Sequence, residues 1–347
     1  MAAYSEFSFT ALWARIGGVA DSAVKMTGNA SKGVVVDLPE TERAALRAQV
    51  TPFVAELEGL RVETLAEVDR RARWLVPLVG GGAFIALLLA GQNAGSAVIF
   101  GVLAALAGWF IAMGNRASTY QTMVKSRFAS VTSTHLTGFT HDVDPQTDLA
   151  RVRNWHLFPE LQSANTTDRI TGQRDRRSVS LSEMSIAFAP RLKRDHGDHG
   201  LSVTVIEVAS DAVKDALMVL TPRDAPSRLR AGQDLNTELK TVTTGGSAFD
   251  AAYTLRLGGS DDAGLLTPAL QAAILDLEKM APAGRPYLVF MPGYLAVLFP
   301  TEFADLAFHV PPYWIPLDPD ALIARFASDL AVKNGLLNAV LALPDNS

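Results

Sequence analysis

From Trp74 to Asn115 the chain runs for 42 residues without one Asp, Glu, Lys or Arg. Two apolar runs lie inside it, Trp74–Gly91 (WLVPLVGGGAFIALLLAG) and Ser96–Gly114 (SAVIFGVLAALAGWFIAMG), separated by the polar break Gln92-Asn93-Ala94-Gly95. At about 1.5 Å per residue each run reaches roughly 27–28 Å as a helix, close to the hydrocarbon thickness of about 30 Å. A helix in a soluble core keeps a polar stripe toward water, and neither run has one. Backbone in lipid must be satisfied internally, which a helix does. The pattern therefore predicts a transmembrane helical hairpin over residues 74–114. Small residues recur at four-residue spacing, at Gly82, Ala86 and Ala90 in the first run and at Gly101/Ala105 and Ala104/Gly108 in the second. Such ridges let helices approach closely in lipid and leave a homo-oligomer open. Pro77 falls in the first turn of its helix, where a missing N–H costs little.

On either side of the hairpin the period stays helical. Asp37-Leu38-Pro39-Glu40 has the form of a helix start with Asp as cap. Leu46, Val50, Phe53, Leu57 and Leu60 then make an apolar stripe, so residues 37–73 are expected to be an amphipathic helix, kinked at Pro52 or restarted there with Thr51 as cap. Tyr120, Met123, Val124, Phe128 and Val131 make a second stripe across residues 115–140. Together the stripes predict an antiparallel stalk continuing the membrane helices; two helices packed separately on a soluble domain have the same periodicity. Residues 1–36, rich in Ala, Ser, Gly and Thr, are expected to be flexible, with a weak amphipathic patch at Leu12, Trp13, Ile16 and Val19. Gly28–Gly33 lacks the Gly-Lys-Ser/Thr order of a phosphate loop.

Around His141-Asp142-Val143-Asp144-Pro145 the helical pattern stops, and from Val179 the period is two. Val179 and Leu181 share one parity; Met184, Ile186 and Phe188 take the other. The slip at Ser182-Glu183 has the signature of a β-bulge, with Glu183 turned toward a partner or a backbone donor rather than toward acid–base chemistry. Leu201–Val208, Ala216–Leu220, Thr237–Thr244 and Ala252–Leu257 follow as strands. A helix opens at Thr267-Pro268 and runs to Met280. Tyr287–Met291 and Leu295–Phe299, joined at Pro292-Gly293, are apolar on both faces and so expected at the centre of a sheet. Pro319–Leu343 is a last amphipathic helix. Strands and helices without a βαβ rhythm make residues 150–347 an α+β domain of mixed strands and helices, carried by the stalk and hairpin.

Charge orients this arrangement. Arg61, Arg70, Arg71 and Arg73 precede the first apolar run, Arg116, Lys125 and Arg127 follow the second, and the connecting turn has none. Lys and Arg concentrate on the cytoplasmic side, so both termini are expected in the cytoplasm and Gln92–Gly95 outside. Trp74 and Trp109 fall near the cytoplasmic boundary as belt residues do. The composition, 48% hydrophobic and 19% charged with a net charge of -5, leaves no cationic footprint for nucleic acid. Zero cysteines excludes disulfides and thiolate metal sites. No basic segment followed by a short apolar run opens the chain, so no cleaved signal peptide is expected and the first span would act as the targeting signal.

Short pieces in a fixed order carry a family resemblance: Tyr120-Gln121-Thr122-Met123-Val124-Lys125, Leu157-Phe158-Pro159, Ile170-Thr171-Gly172, Val179-Ser180-Leu181-Ser182-Glu183, Phe249-Asp250 and Leu266-Thr267-Pro268-Ala269-Leu270. Across roughly residues 60–345 the chain resembles an uncharacterised bacterial family of two-span membrane proteins with a cytoplasmic domain of unknown function. It departs from that family at Val213-Lys214-Asp215-Ala216, where an aromatic residue and a glycine are expected. The resemblance implies a multi-pass protein of the bacterial inner membrane and no particular activity.

Candidate chemistry is thin. Asp195-His196-Gly197-Asp198-His199 has the ligand types of a Zn or Mn site, but a solvated hairpin turn has the same composition and no second cluster completes it. His135, His141, His156 and His309 are scattered and are expected to be packing or surface residues. Gly245-Gly246-Ser247 lacks the frame of a nucleophile elbow, and Gly258-Gly259-Ser260-Asp261-Asp262 reads as an acidic turn. Arg174, Arg176 and Arg177 suit either a solvated turn or anionic lipid. Ser96 is the one polar side chain in the spans, which gives no ion pathway. No catalytic, cofactor-binding or metal residue is assigned and no cofactor is expected. Two readings remain: a membrane-anchored cytoplasmic binding or scaffold module serving a protein or lipid partner at the inner membrane face, and a membrane-anchored enzyme whose site is assembled from residues distant in sequence.

Overall fold

The computed structural model describes residues 38–158 (backbone only across 113–118), 161–188, 200–210, 216–225, 239–259, 266–281, 283–301, 308, 310 and 313–344. The architecture is mixed helix and antiparallel sheet. It divides into two compact units, one holding Leu38–Val131 and His309–Ile323, the other Thr132–Phe308 and Ala324–Ser347. These limits differ from the expected 150–347 domain, because the end of the stalk belongs to the sheet and His309–Ile323 belongs to the helices.

The helical unit is built on α1 (Glu40–Leu89, 50 residues) and α2 (Ala94–Thr137, 44 residues), each running unbroken through its apolar stretch. Pro39 occupies the cap position of α1 without a side-chain cap bond, and the expected Asp37 cap lies outside the described residues. Pro52 neither ends the helix nor restarts it. The Thr51 hydroxyl donates to the Arg47 carbonyl at 2.6 Å within the continuing helix. At the far end Gly91 adopts φ +79, Gln92 N–H reaches Leu87 O and Gly91 N–H reaches Leu88 O, a Schellman stop. Asn93 then accepts from Ser96 N–H at 2.8 Å, capping α2.

On α1 the buried positions are Leu46, Val50, Leu57, Thr64, Val68, Ala72 and Gly80; on α2 they include Ala97, Trp109, Ala112, Tyr120, Val124 and Phe128. Both predicted stripes are thus present. The close approach uses glycines: a Cβ on Gly80 would sit 2.7 Å from Ala105 Cβ, and one on Gly108 3.0 Å from the Leu75 carbonyl. Gly82, an expected ridge residue, has nothing within 4 Å of that position. The sequence ridge was one turn-fraction off, because three glycines in a row leave the choice of face to the packing. Within this unit Arg61 bonds Glu58 and reaches the Tyr313 carbonyl at 3.3 Å. That guanidinium holds the Glu58 carboxyl below its usual range.

Among the described residues the other unit holds nine antiparallel strands: β1 (Thr140–Asp142), β2 (Leu161–Arg174), β3 (Arg177–Phe188), β4 (Gly200–Ala209), β5 (Ala216–Pro222), β6 (Lys240–Val242), β7 (Tyr253–Gly259), β8 (Tyr287–Met291) and β9 (Tyr294–Pro300). Their order across the sheet is β1-β2-β3-β4-β9-β8-β5-β7-β6, so the β8–β9 hairpin lies centrally, as its two apolar faces required. The described residues also include helices α3 (Leu149–Asn154), α4 (Ser247–Ala252), α5 (Pro268–Leu277) and α6 (Pro319–Leu341), with Thr267 capping α5 through Leu270 N–H.

Registry explains the parity slip in β3. Pairing with β4 runs unbroken from Val179↔Val208 to Ala187↔Gly200, so β3 has no bulge against β4. The irregularity lies on β2 between Thr166 and Asp168, opposite Met184 and Glu183, where Thr167 is the extra residue. The strand simply serves two cores. Met184, Ile186 and Phe188 enter a cluster with Trp155, Phe158, Val203, Val205 and Leu298 on one face. Val179, Leu181 and Glu183 turn to the opposite face, in register with Val208, Ile206 and Thr204. Glu183 occupies a position where an apolar residue would have kept the alternation visible.

Candidate functional site

At the level of that β2 irregularity the fold gathers charged side chains that are distant in sequence. Asp168 on β2 and Glu183 on β3 are direct cross-strand partners, and Thr204 on β4 stands opposite Glu183. Two like charges side by side in a sheet repel and demand compensation. Each has a different partner. His141 Nε2 lies 2.9 Å from Asp168 Oδ1, with the two side chains 0% and 2% exposed. Lys333 Nζ, from α6, lies 2.7 Å from Glu183 Oε1, the side chains being 8% and 2% exposed. The Thr204 hydroxyl donates to the same Glu183 oxygen at 3.0 Å.

Phe308 sits between the two pairs. Its ring makes an edge contact with His141 at 5.0 Å and with Phe326 at 5.1 Å, and the Lys333 ammonium lies 5.3 Å from its centroid. Phe308 holds φ +54, a conformation uncommon for a residue with a Cβ, and its N–H donates to Asp329 Oδ2 at 2.9 Å. Burial raises the Asp329 carboxyl above its ordinary value, the Phe308 N–H and the Lys333 charge opposing the shift only in part. His141 Nδ1 and Glu183 Oε2 are buried without a hydrogen-bond partner among the described residues.

The chemistry of this cluster is that of a clamp. A buried carboxylate beside an ammonium and an imidazole beside a second carboxylate have the ingredients of acid–base catalysis, but all four side chains are sealed from solvent. What the geometry does is tie β1 and α6 to the β2–β3 pair. A groove of about 590 Å³ lies elsewhere in this unit; among the described residues its lining joins the polar Ser163, Asn165, Ser185, Ser202 and Thr301 to Ile186, Ala187 and Leu201, with no titratable side chain.

The residues singled out in sequence are dispersed. Among the described residues no group of three or more His, Asp or Glu could hold a metal ion, and the Asp195–His199 turn lies outside them. Gly245-Gly246-Ser247 is a turn opening α4: Asp250 accepts from Thr244 N–H at 3.0 Å and Gly245 N–H at 3.1 Å, and the Thr244 N–H chiefly lowers its carboxyl. Gly258 and Gly259 end β7, and Ser260–Asp262 lie outside the described residues. Arg174 and Arg177 face each other across the β2–β3 hairpin, whose two turn residues Asp175 and Arg176 both have positive φ, 51 and 64, as a type I′ turn needs. Of the residues singled out in sequence, Glu183 and His141 enter the cluster. The role of Glu183 is an ion pair, so the expectation of a surface contact or backbone cap is replaced. His141 is a buried hydrogen-bond partner of Asp168, while Asp168 and Lys333 carried no flag. Lys333 did leave a signal, standing on the apolar stripe Phe326, Leu330, Leu337.

No protein-family model matches the chain, and no curated protein matches it. Among solved structures, the crystal structure of the mycobacterial trehalose monomycolate transport factor A, TtfA, is similar at 10% identity and a TM-score of 0.34, covering 64% of this chain and 98% of that one.

Proposed function

We propose that this is a bacterial inner-membrane protein in which the α1–α2 hairpin spans the bilayer and holds the sheet unit at the cytoplasmic face as a binding or scaffold module. The observation that carries the reading is what the two apolar stretches do with their surface. Both α1 and the Ala94–Ala112 stretch are long and apolar enough to cross a membrane, yet only 11% and 22% of their apolar windows are buried within the molecule. Trp74 is 78% exposed, Leu78 70% and Phe110 64%. A soluble protein does not leave apolar surface of that extent in water; hydrocarbon is the solvent that suits it. The sealed state of the Asp168, Glu183, His141 and Lys333 cluster favours the binding module over an enzyme, since a site assembled from distant residues is present but closed to substrate.

The test is extraction and topology in one strain. The full chain should stay in the membrane pellet through an alkaline carbonate wash. Reporter fusions after Ser347 and within Gln92–Gly95 should report opposite compartments, the first cytoplasmic. Release by carbonate, or an external carboxyl terminus, would overturn the reading.

A further inference from the structure

We infer that the entry of α1 into the bilayer is a binding surface for anionic phospholipid, made by Arg70 and Arg73 around Trp74; the inference rests on the membrane reading above. The buried face of α1 carries Thr64, Val68, Ala72 and Gly80, the last packed against Ala105 of α2. Arg70, Trp74, Pro77, Leu78, Ile85 and Leu88 lie on the opposite face, at the three- and four-residue offsets of one helical side. Of these, Trp74, Leu78, Ile85 and Leu88 are exposed apolar residues. The stripe that would meet acyl chains therefore continues directly into two guanidinium groups.

Those groups are available. Arg70 and Arg73 are exposed and make no ion pair among the described residues. Their neighbour Arg71 is tied to Glu67 at 2.5 Å, and that compensation one residue away has no counterpart at these two among the described residues. Depth fits as well. Arg70 precedes Trp74 by four residues, about 6 Å along the helix axis. The headgroup layer on one side of a bilayer is roughly 5–7 Å thick, so the Arg70 backbone lies at its outer limit and both side chains work within it. Trp74 then sits at the boundary where an indole is favoured, and its large exposed ring leaves room beside it for a lipid. Charge decides the occupant: a zwitterionic headgroup offers phosphate with its own cation, whereas an anionic headgroup offers an uncompensated phosphate to a pair of uncompensated arginines.

The experiment reconstitutes the full chain into vesicles of equal parts phosphatidylcholine and phosphatidylglycerol and measures, with spin-labelled lipids, which headgroup enters the protein's lipid shell. Phosphatidylglycerol should be preferred, by about fivefold for each cation engaged, and less so as salt is raised. Arg70→Gln with Arg73→Gln should bring the preference to parity at an unchanged melting temperature, while the paired Lys variants keep most of it. Equal occupancy in the unmodified chain, or an undiminished preference in the Gln pair, would overturn the inference while leaving the span in place. Failure of the chain to insert at all would overturn the membrane reading and this inference with it.

Discussion

Replacing Lys333 with Met tests whether the Glu183–Lys333 pair is a clamp. Met continues the apolar stripe of α6 between Leu330 and Leu337, so the change removes the charge while keeping most of the volume. Glu183 is left with the Thr204 hydroxyl on one oxygen and nothing among the described residues on the other. Breaking a buried pair from one side costs about 3–5 kcal/mol. For a unit of this size the loss corresponds to a melting temperature lower by roughly 10 °C. Hydrogen exchange of the β3 and β4 amides in the detergent-solubilised full chain reads this unit apart from the helices. Glu183→Gln added to Lys333→Met removes both charges and should recover most of the stability. A Lys333→Met protein as stable as its parent at pH 7, or a double variant no better than the single one, would refute the clamp.

Two further outcomes follow from the packing. Gly80→Ala should destabilise the α1–α2 pair by about 1–3 kcal/mol, because the new Cβ would stand 2.7 Å from Ala105 Cβ, whereas Gly82→Ala, in open space, should be neutral or stabilising by up to about 1 kcal/mol; thermal unfolding in micelles separates them. Asp329→Asn should raise stability at neutral pH. The parent carboxyl is held above its ordinary value, so its contribution is full below the unfolded value and is lost as pH rises through the folded one; an amide still accepts the Phe308 N–H without that loss. Denaturation profiles between about pH 4 and 7 should be flatter for the variant.

Periodicity made most of the fold legible, and its silences mark where the cluster forms. The apolar hairpin, the stripes through Leu46 and Tyr120, the central β8–β9 hairpin and α6 could all be read, because in each case burial of one face dictates residue type at a fixed spacing. β2 could not. Its sequence LQSANTTDRITGQR holds few apolar residues, and its buried positions include Thr166 and Asp168, whose burial is supported by hydrogen bonds with Thr147, in the loop after β1, and with His141 on β1. Such partners have no spacing rule, so neither the strand nor its carboxylate was visible. The two signals that were visible looked unrelated: a parity slip in β3 and a lysine within an apolar helical stripe. Each is what a lone charge does to an otherwise apolar pattern. In the fold the charge at the slip, Glu183, and the charge in the stripe, Lys333, stand 2.7 Å apart. An interruption in one buried pattern is therefore best sought as the partner of an opposite-sign interruption in another, since a buried charge is stable only when its complement is buried beside it.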